Sequence, residues 1–114
     1  MKAGKIAEII NGKVICGECQ ADHEVEYAFA SDLMSDVLTI DHENVLLITG
    51  LTNLQAIRTA EMADIRVLVF VRNKQVTEDI INLANENGMI LIECPFTMYK
   101  TSGLLYQAGV KPLF

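Results

Sequence analysis

The sequence has no apolar run long enough to cross a bilayer, no excess of basic charge and no glycine-rich phosphate loop, and each absence removes a class of function. No window approaches the roughly 18 apolar residues that a spanning helix needs. The opening segment Ile6-Ala-Glu-Ile-Ile-Asn is interrupted by Glu8 and Asn11, which breaks the apolar core a secretory signal requires, so a soluble, cytoplasmic protein is expected. Nine Lys plus Arg stand against fifteen Asp plus Glu, a formal charge of -6. Neither nucleic acid nor an anionic membrane suits such a surface, because both need a basic face. The Walker glycine-lysine loop and the glycine fingerprint of dinucleotide-binding folds are missing, which argues against ordinary ATP hydrolysis and nicotinamide chemistry. Cysteine is scarce and odd in number, three residues, as expected for reduced thiols rather than a disulfide framework. No linker, low-complexity tract or exact repeat divides the chain. Residues 1–114 therefore read as a single domain, large enough to bury a core without staples.

What is present is one design used repeatedly. Val45-Leu-Leu-Ile-Thr-Gly is an apolar run without alternation, the pattern of a strand covered on both faces, and Gly50 permits a sharp exit. Thr52 and Gln55 have the spacing of a capping box, with Thr52 as N-cap of a helix reaching about Ala63. The succession recurs as a strand over residues 66–71 with a helix from Thr77 to Gly88, and a strand over 89–93 with a helix from Thr97 to about Ala108. Upstream, Ile6, Ile9 and Ile10 mark a helix over residues 2–11 that stops at Gly12, followed by a short strand over 13–16 and a polar loop over 17–24. From Val25 the chain alternates, placing Val25, Tyr27 and Phe29 on one face of a strand. Ser31 or Asp32 then caps a short helix that buries Leu33, Met34, Val37 and Leu38. Strands alternating with helices at this interval predict right-handed βαβ crossovers, a largely parallel sheet and a layered α/β fold.

In such a sheet the turns that follow the strands open on the carboxyl edge, where open α/β proteins bind ligands. Thr49, Gly50 and Asn53, then Arg72 and Asn73, then Cys94 and Thr97 are expected to meet there, with Ser31, Asp32, Ser35 and Asp36 beside them. Hydroxyl-capped helix starts together with Arg72 suit an anion such as a phosphate, although capping alone accounts for every hydroxyl. Asp32 and Asp36, one helical turn apart, share a face. With no third acid or histidine beside them, they read as acids that complement a helix dipole rather than as a metal or acid–base pair. Cys16-Gly-Glu-Cys19, with His23 four residues on, is either half of a zinc or redox site or simply one strand cysteine and one loop cysteine. The second reading is preferred, since no further ligand is close in sequence and no helix follows the pair. Cys94 at a helix start lacks a nearby histidine and reads as a small buried residue rather than a nucleophile. Gly103 inside a helix, where glycine is unfavourable, points to close packing against another element or another subunit. No catalytic set, cofactor or metal is assigned.

Several segments resemble the small stand-alone proteins of the DRTGG-domain family: Ile6-Ala-Glu-Ile-Ile-Asn-Gly-Lys-Val, then Ala30-Ser-Asp-Leu-Met-Ser-Asp-Val-Leu, then Gly88-Met-Ile-Leu-Ile through Leu104-Leu-Tyr. The likeness covers nearly the whole chain, and its most specific part is Ser-Asp-Leu-x-Ser-Asp-Val. The family is similar in fold to the N-terminal domain of HPr kinase/phosphorylase, an α/β unit without kinase activity, and its domains also occur beside CBS pairs and other regulatory modules. The turns Thr49-Gly-Leu-Thr-Asn53 and Val71-Arg-Asn-Lys74 lack the acidic–arginine pair and the Thr-Gly-Gly of the family's name motif. The resemblance implies a sensing or assembly role, and the lack of an assembled catalytic set makes a non-enzymatic one the leading expectation. Together with the residues above, it predicts a homodimeric regulatory domain that binds a small molecule, a nucleotide or other anion, at the carboxyl ends of the strands. The alternatives are a protein-interaction subunit acting through an exposed apolar surface, or a cysteine-based metal or redox sensor.

Overall fold

The buried strand that the sequence marks most clearly, Val45–Thr49, lies near the middle of a six-stranded sheet in a computed structural model that describes residues 1–17 and 20–114. In chain order the elements are α1 (Ala3–Ile9), β1 (Lys13–Cys16), β2 (Tyr27–Ala30), α2 (Met34–Val37), β3 (Val45–Thr49), α3 (Leu54–Met62), β4 (Val67–Phe70), α4 (Glu78–Glu86), β5 (Ile90–Glu93), α5 (Met98–Gln107) and β6 (Lys111–Pro112). The strand order is β1-β5-β4-β3-β2-β6. β2 to β5 are consecutive parallel neighbours, as the alternation of strands and helices requires, and β6 joins β2 in parallel. β1 runs antiparallel to β5, which makes the sheet mostly rather than wholly parallel.

Successive residues of a strand point to opposite faces, and the strands are apolar on both. Val45, Leu47, Leu68, Phe70 and Leu91 pack with residues of α2, α3 and α4 on one side, whereas Leu46, Ile48, Val67, Val69 and Ile92 pack with α1 and α5 on the other. The first three crossover helices thus share one face. α5 returns over the opposite face to deliver β6 to the far edge beside β2. Burying each such Val, Leu or Ile side chain contributes about 1.5–3 kcal/mol relative to exposure. These two layers are what fix the strand ends in place.

Local departures from the sequence reading have clear causes. Val25 packs in the α1/α5 layer while Tyr27 and Phe29 face the other, because β2 begins only at Tyr27 and the alternation does not extend back to Val25. α2 is four residues long, with Leu33 as N-cap and no side-chain cap. Met34 and Val37 are buried as expected, but Leu33 and Leu38 are 58% and 50% exposed. At the end of α1 it is Asn11, not Gly12, that takes the left-handed conformation, at φ 55. Gly12 serves a different purpose, since a Cβ there would lie 2.6 Å from Ile92 Cγ2. Past Gly109 the chain forms β6, a two-residue edge strand that the sequence reading does not anticipate; an edge tolerates Pro112 because its missing N–H faces no ladder partner.

Candidate functional site

The carboxyl edge is assembled by hydrogen bonds between neighbouring strand ends. Asp32, just past β2, turns its carboxylate toward the end of β3, where Oδ1 accepts from Thr49 Oγ1 at 3.0 Å and from the Gly50 amide at 2.7 Å. Thr49 is fully buried and its hydroxyl oxygen in turn accepts from the Leu51 amide at 3.1 Å. Lys74, from the turn after β4, donates its ammonium to the Gly50 carbonyl. That turn is tied to the end of β5, with the Arg72 amide donating to Phe96 O at 2.7 Å and the Asn73 amide to Cys94 O at 3.0 Å. Glu93 Oε2 accepts from the Val76 amide at 2.8 Å. Charge-assisted bonds of this kind are the stronger ones, each worth about 1.5–3 kcal/mol.

Asp32 therefore does not act as a helix cap or as one of a carboxylate pair. Its carboxylate joins β2 to β3, while Asp36 is exposed on α2, where its carbonyl accepts from Thr39 Oγ1. Ser31 closes a local turn by accepting from the Leu33 amide at 3.0 Å, and Ser35 is exposed on α2. The capping box expected at Thr52 and Gln55 is displaced by one residue. Asn53, extended at φ -149, is the N-cap of α3, and its Oδ1 accepts from the Ala56 amide at 3.0 Å. Asparagine is the better cap of the two. The displaced Thr52 hydroxyl oxygen is buried and has no hydrogen-bond partner among the described residues. Thr97 caps α5 as expected, accepting from the Lys100 amide at 3.3 Å. Thr77 sits at the start of α4 but gives its hydroxyl to Asp79 instead of capping the backbone. This bond is the main cause that holds the Asp79 carboxyl below its ordinary value of 3.8.

Arg72 and Asn73 both adopt positive φ, 68 and 56. For a side-chain-bearing residue the left-handed region costs about 1–2 kcal/mol, and such strain concentrates at functional sites. Both residues are exposed, and Arg72 forms no ion pair with a described residue. Cys94 is the member of the expected set that leaves it. The residue is 1% exposed, its thiol donates to Ile10 O and shares a bond with Thr101 Oγ1, both at 3.3 Å, and it presents no surface to a ligand.

The cysteine cluster is separated in the same way. Cys16 is buried and bonded to Asn85 Oδ1 at 2.9 Å, as a strand cysteine would be. Cys19 lies outside the described residues. Among the described residues no group of three or more His, Cys, Asp or Glu side chains is placed to hold a metal, and no helix is long and apolar enough to cross a membrane.

Lys74 escapes the sequence reading, and of the outer face of α5 only Gly103 is singled out there. Lys74 is the only residue that reaches from the β4 turn to the β3 turn in the bonds above, and a lone lysine in a polar turn carries no pattern that announces it. The outer face of α5 exposes Tyr99 (91%) and Tyr106 (69%) around Gly103. Grooves lie along this face and between α5 and the β2–β6 edge, the second of about 160 Å³; neither is lined by Asp32, Thr49, Gly50, Arg72 or Lys74. Here a signal was available, because no acidic residue follows Glu93.

Sequence comparison places this edge in a family. Residues 5–108 match the DRTGG domain, and the chain belongs to the DRTGG-domain family. Its structure is similar to that of the CBS and DRTGG domains of the regulatory region of Clostridium perfringens pyrophosphatase, complexed with the activator diadenosine tetraphosphate. The TM-score is 0.76 at 15% identity, over 94% of this chain and 46% of that chain. At that identity the likeness establishes the α/β fold, and this chain spans less than half the length of that one. No curated protein matches the chain.

Proposed function

We propose that residues 1–114 act as one regulatory, non-enzymatic unit, a cytoplasmic homodimer that binds a small anionic ligand of the nucleotide class at its carboxyl edge. The observation that carries this reading is the β4 turn, which holds Arg72 in a strained conformation without an acidic partner among the described residues and, through Lys74, is drawn onto the Gly50 carbonyl. The two carboxylates beside these cations, Asp32 and Glu93, are occupied by N–H donors. A phosphate would take up Arg72 and the exposed part of Lys74. Membership of a family represented in a regulatory region supports regulation over catalysis.

A thermal-shift series with inorganic phosphate, mononucleotides and diadenosine tetraphosphate tests the reading. One of the nucleotides raises the midpoint of the wild-type chain, and Arg72→Gly removes the response without lowering the midpoint of the unliganded protein. Absence of any shift, or a shift that survives both Arg72→Gly and Lys74→Ala, overturns it. Asp32 is unsuited to this test because its substitution disturbs the join between β2 and β3. A second reading, a protein-interaction subunit without a small ligand, is favoured by one observation, the exposed tyrosines of α5.

A further inference from the structure

Gly103 lies within α5, where glycine is unfavourable relative to alanine. The cause of such a residue is usually close approach of another element, and among the described residues there is none, because a Cβ at Gly103 would meet nothing within 4 Å. Tyr99 and Tyr106, four residues before it and three after, stand on the same stripe of the helix and are both largely exposed. Tyrosine in this setting is the side chain that most often anchors a protein interface.

Charge indicates what covers the stripe. All fifteen acidic residues occur at or before Glu93, and the remainder of the chain carries only Lys100 and Lys111 as charged side chains. Two copies of a chain with formal charge -6 repel over most of their surfaces and least across α5. We infer that a second copy of this chain docks on the outer face of α5, with the two helices crossing antiparallel at Gly103. This deepens the homodimer of the preceding section by giving it an interface.

A two-fold axis through Gly103 presents the same patch on both sides, as an isologous contact requires. It carries Tyr99 of each helix to the Tyr106 end of the other, beside the 160 Å³ groove that Ala28, Ala30, Ile48 and Leu105 line between α5 and β2. It also sets Lys100 against Gln107. A parallel crossing would instead oppose Lys100 to Lys100 and align the two helix dipoles. The two tyrosines supply about 300–400 Å² of surface, close to half of the ~800 Å² that each partner gives to a standard interface. The small residues of the groove and Leu104 extend the contact.

Sedimentation equilibrium of the whole chain provides the test. The wild type is a dimer, and Gly103→Leu, whose Cβ would meet no described atom within 4 Å, weakens association at least tenfold with an unchanged far-UV spectrum. Gln107→Lys weakens it about threefold and Gln107→Glu tightens it by a similar factor. A monomeric wild type, or a Gly103→Leu chain that associates as tightly as the wild type, overturns the proposal, and Gln107 variants that shift in the opposite sense overturn the antiparallel crossing. The nucleotide response, read on the Gly103→Leu protein, keeps this inference separate from the ligand site. Loss of the dimer with the response intact speaks to α5 alone, and loss of the response with the dimer intact speaks to the carboxyl edge alone.

Discussion

The carboxyl edge and the outer face of α5 differ in where their partners come from. At the edge, the chain bonds to itself, since Asp32 holds Thr49 and Gly50, Lys74 holds Gly50, and Asn53 holds Ala56. On α5, Tyr99 and Tyr106 are largely exposed, and a Cβ at Gly103 would meet no described atom within 4 Å. A region whose polar groups, the Thr52 hydroxyl apart, are satisfied within the chain has its shape largely fixed before any ligand arrives, so what it can still offer is the charge left over on Arg72 and Lys74. A region whose side chains are unpartnered contributes little to the stability of the single chain and gains its stabilisation only from a second molecule.

The largest expected effect breaks the edge. Asp32→Ala removes the acceptor of a buried hydroxyl and of an amide, and should destabilise the chain by about 2–4 kcal/mol, read as a lower urea midpoint at unchanged slope. Next comes a pair of glycines on the α1/α5 side. Gly12→Ala forces a methyl to within 2.6 Å of Ile92 Cγ2 and should cost about 1–3 kcal/mol by overpacking. Gly103→Ala, at concentrations where the chain is monomeric, should instead stabilise it by about 0.5–1 kcal/mol, the ordinary helix preference. If the two alanine variants shift the same way, the contrast between a glycine used by the chain and one left for a partner fails. Arg72→Gly relieves left-handed strain against the greater entropy of an unfolded glycine. A net gain of about 0.5 kcal/mol by chemical denaturation is expected, and it should accompany the lost nucleotide response.

The smallest effect is a matter of pH at the start of α4. Asp79 is held below its ordinary value of 3.8, chiefly by the Thr77 hydroxyl. A carboxyl whose folded value is lowered contributes stability above its unfolded value and loses it as pH falls through the folded one. Wild type and Thr77→Val should therefore differ in melting midpoint at neutral pH, with the difference closing below pH 3.8. A difference that widens in acid would show that the bond does not act on Asp79.

Much of this organisation is legible in the residues, and the places where it is not have physical causes. The unbroken apolar runs of β3, β4 and β5 announce strands buried on both faces, and Gly88 and Gly109, at φ 66 and 104, end their helices where turn chemistry places them. The convergence of the Asp32, Gly50 and Arg72 turns follows from parallel neighbours alone. Which atom bonds which does not. Thr52 and Asn53 are adjacent capping residues, and only the angle at which the chain leaves β3 decides that Asn53 caps α3 while the Thr52 hydroxyl is buried. Cys94 carries helix-start spacing yet turns inward to Ile10 and Thr101, a contact with a helix more than eighty residues earlier that no local pattern encodes. Gly103 is the opposite case, since its anomaly is visible in the sequence, and no described residue of the chain packs against it.

Amide hydrogen exchange, followed from low to high protein concentration, tests the difference between the two regions most directly. The Gly50 amide, bonded to Asp32, should be protected to the same degree throughout, while exchange along residues 99–107 slows as concentration rises. Protection of α5 that is indifferent to concentration, or a Gly50 amide that exchanges as freely as an open loop, would contradict the account.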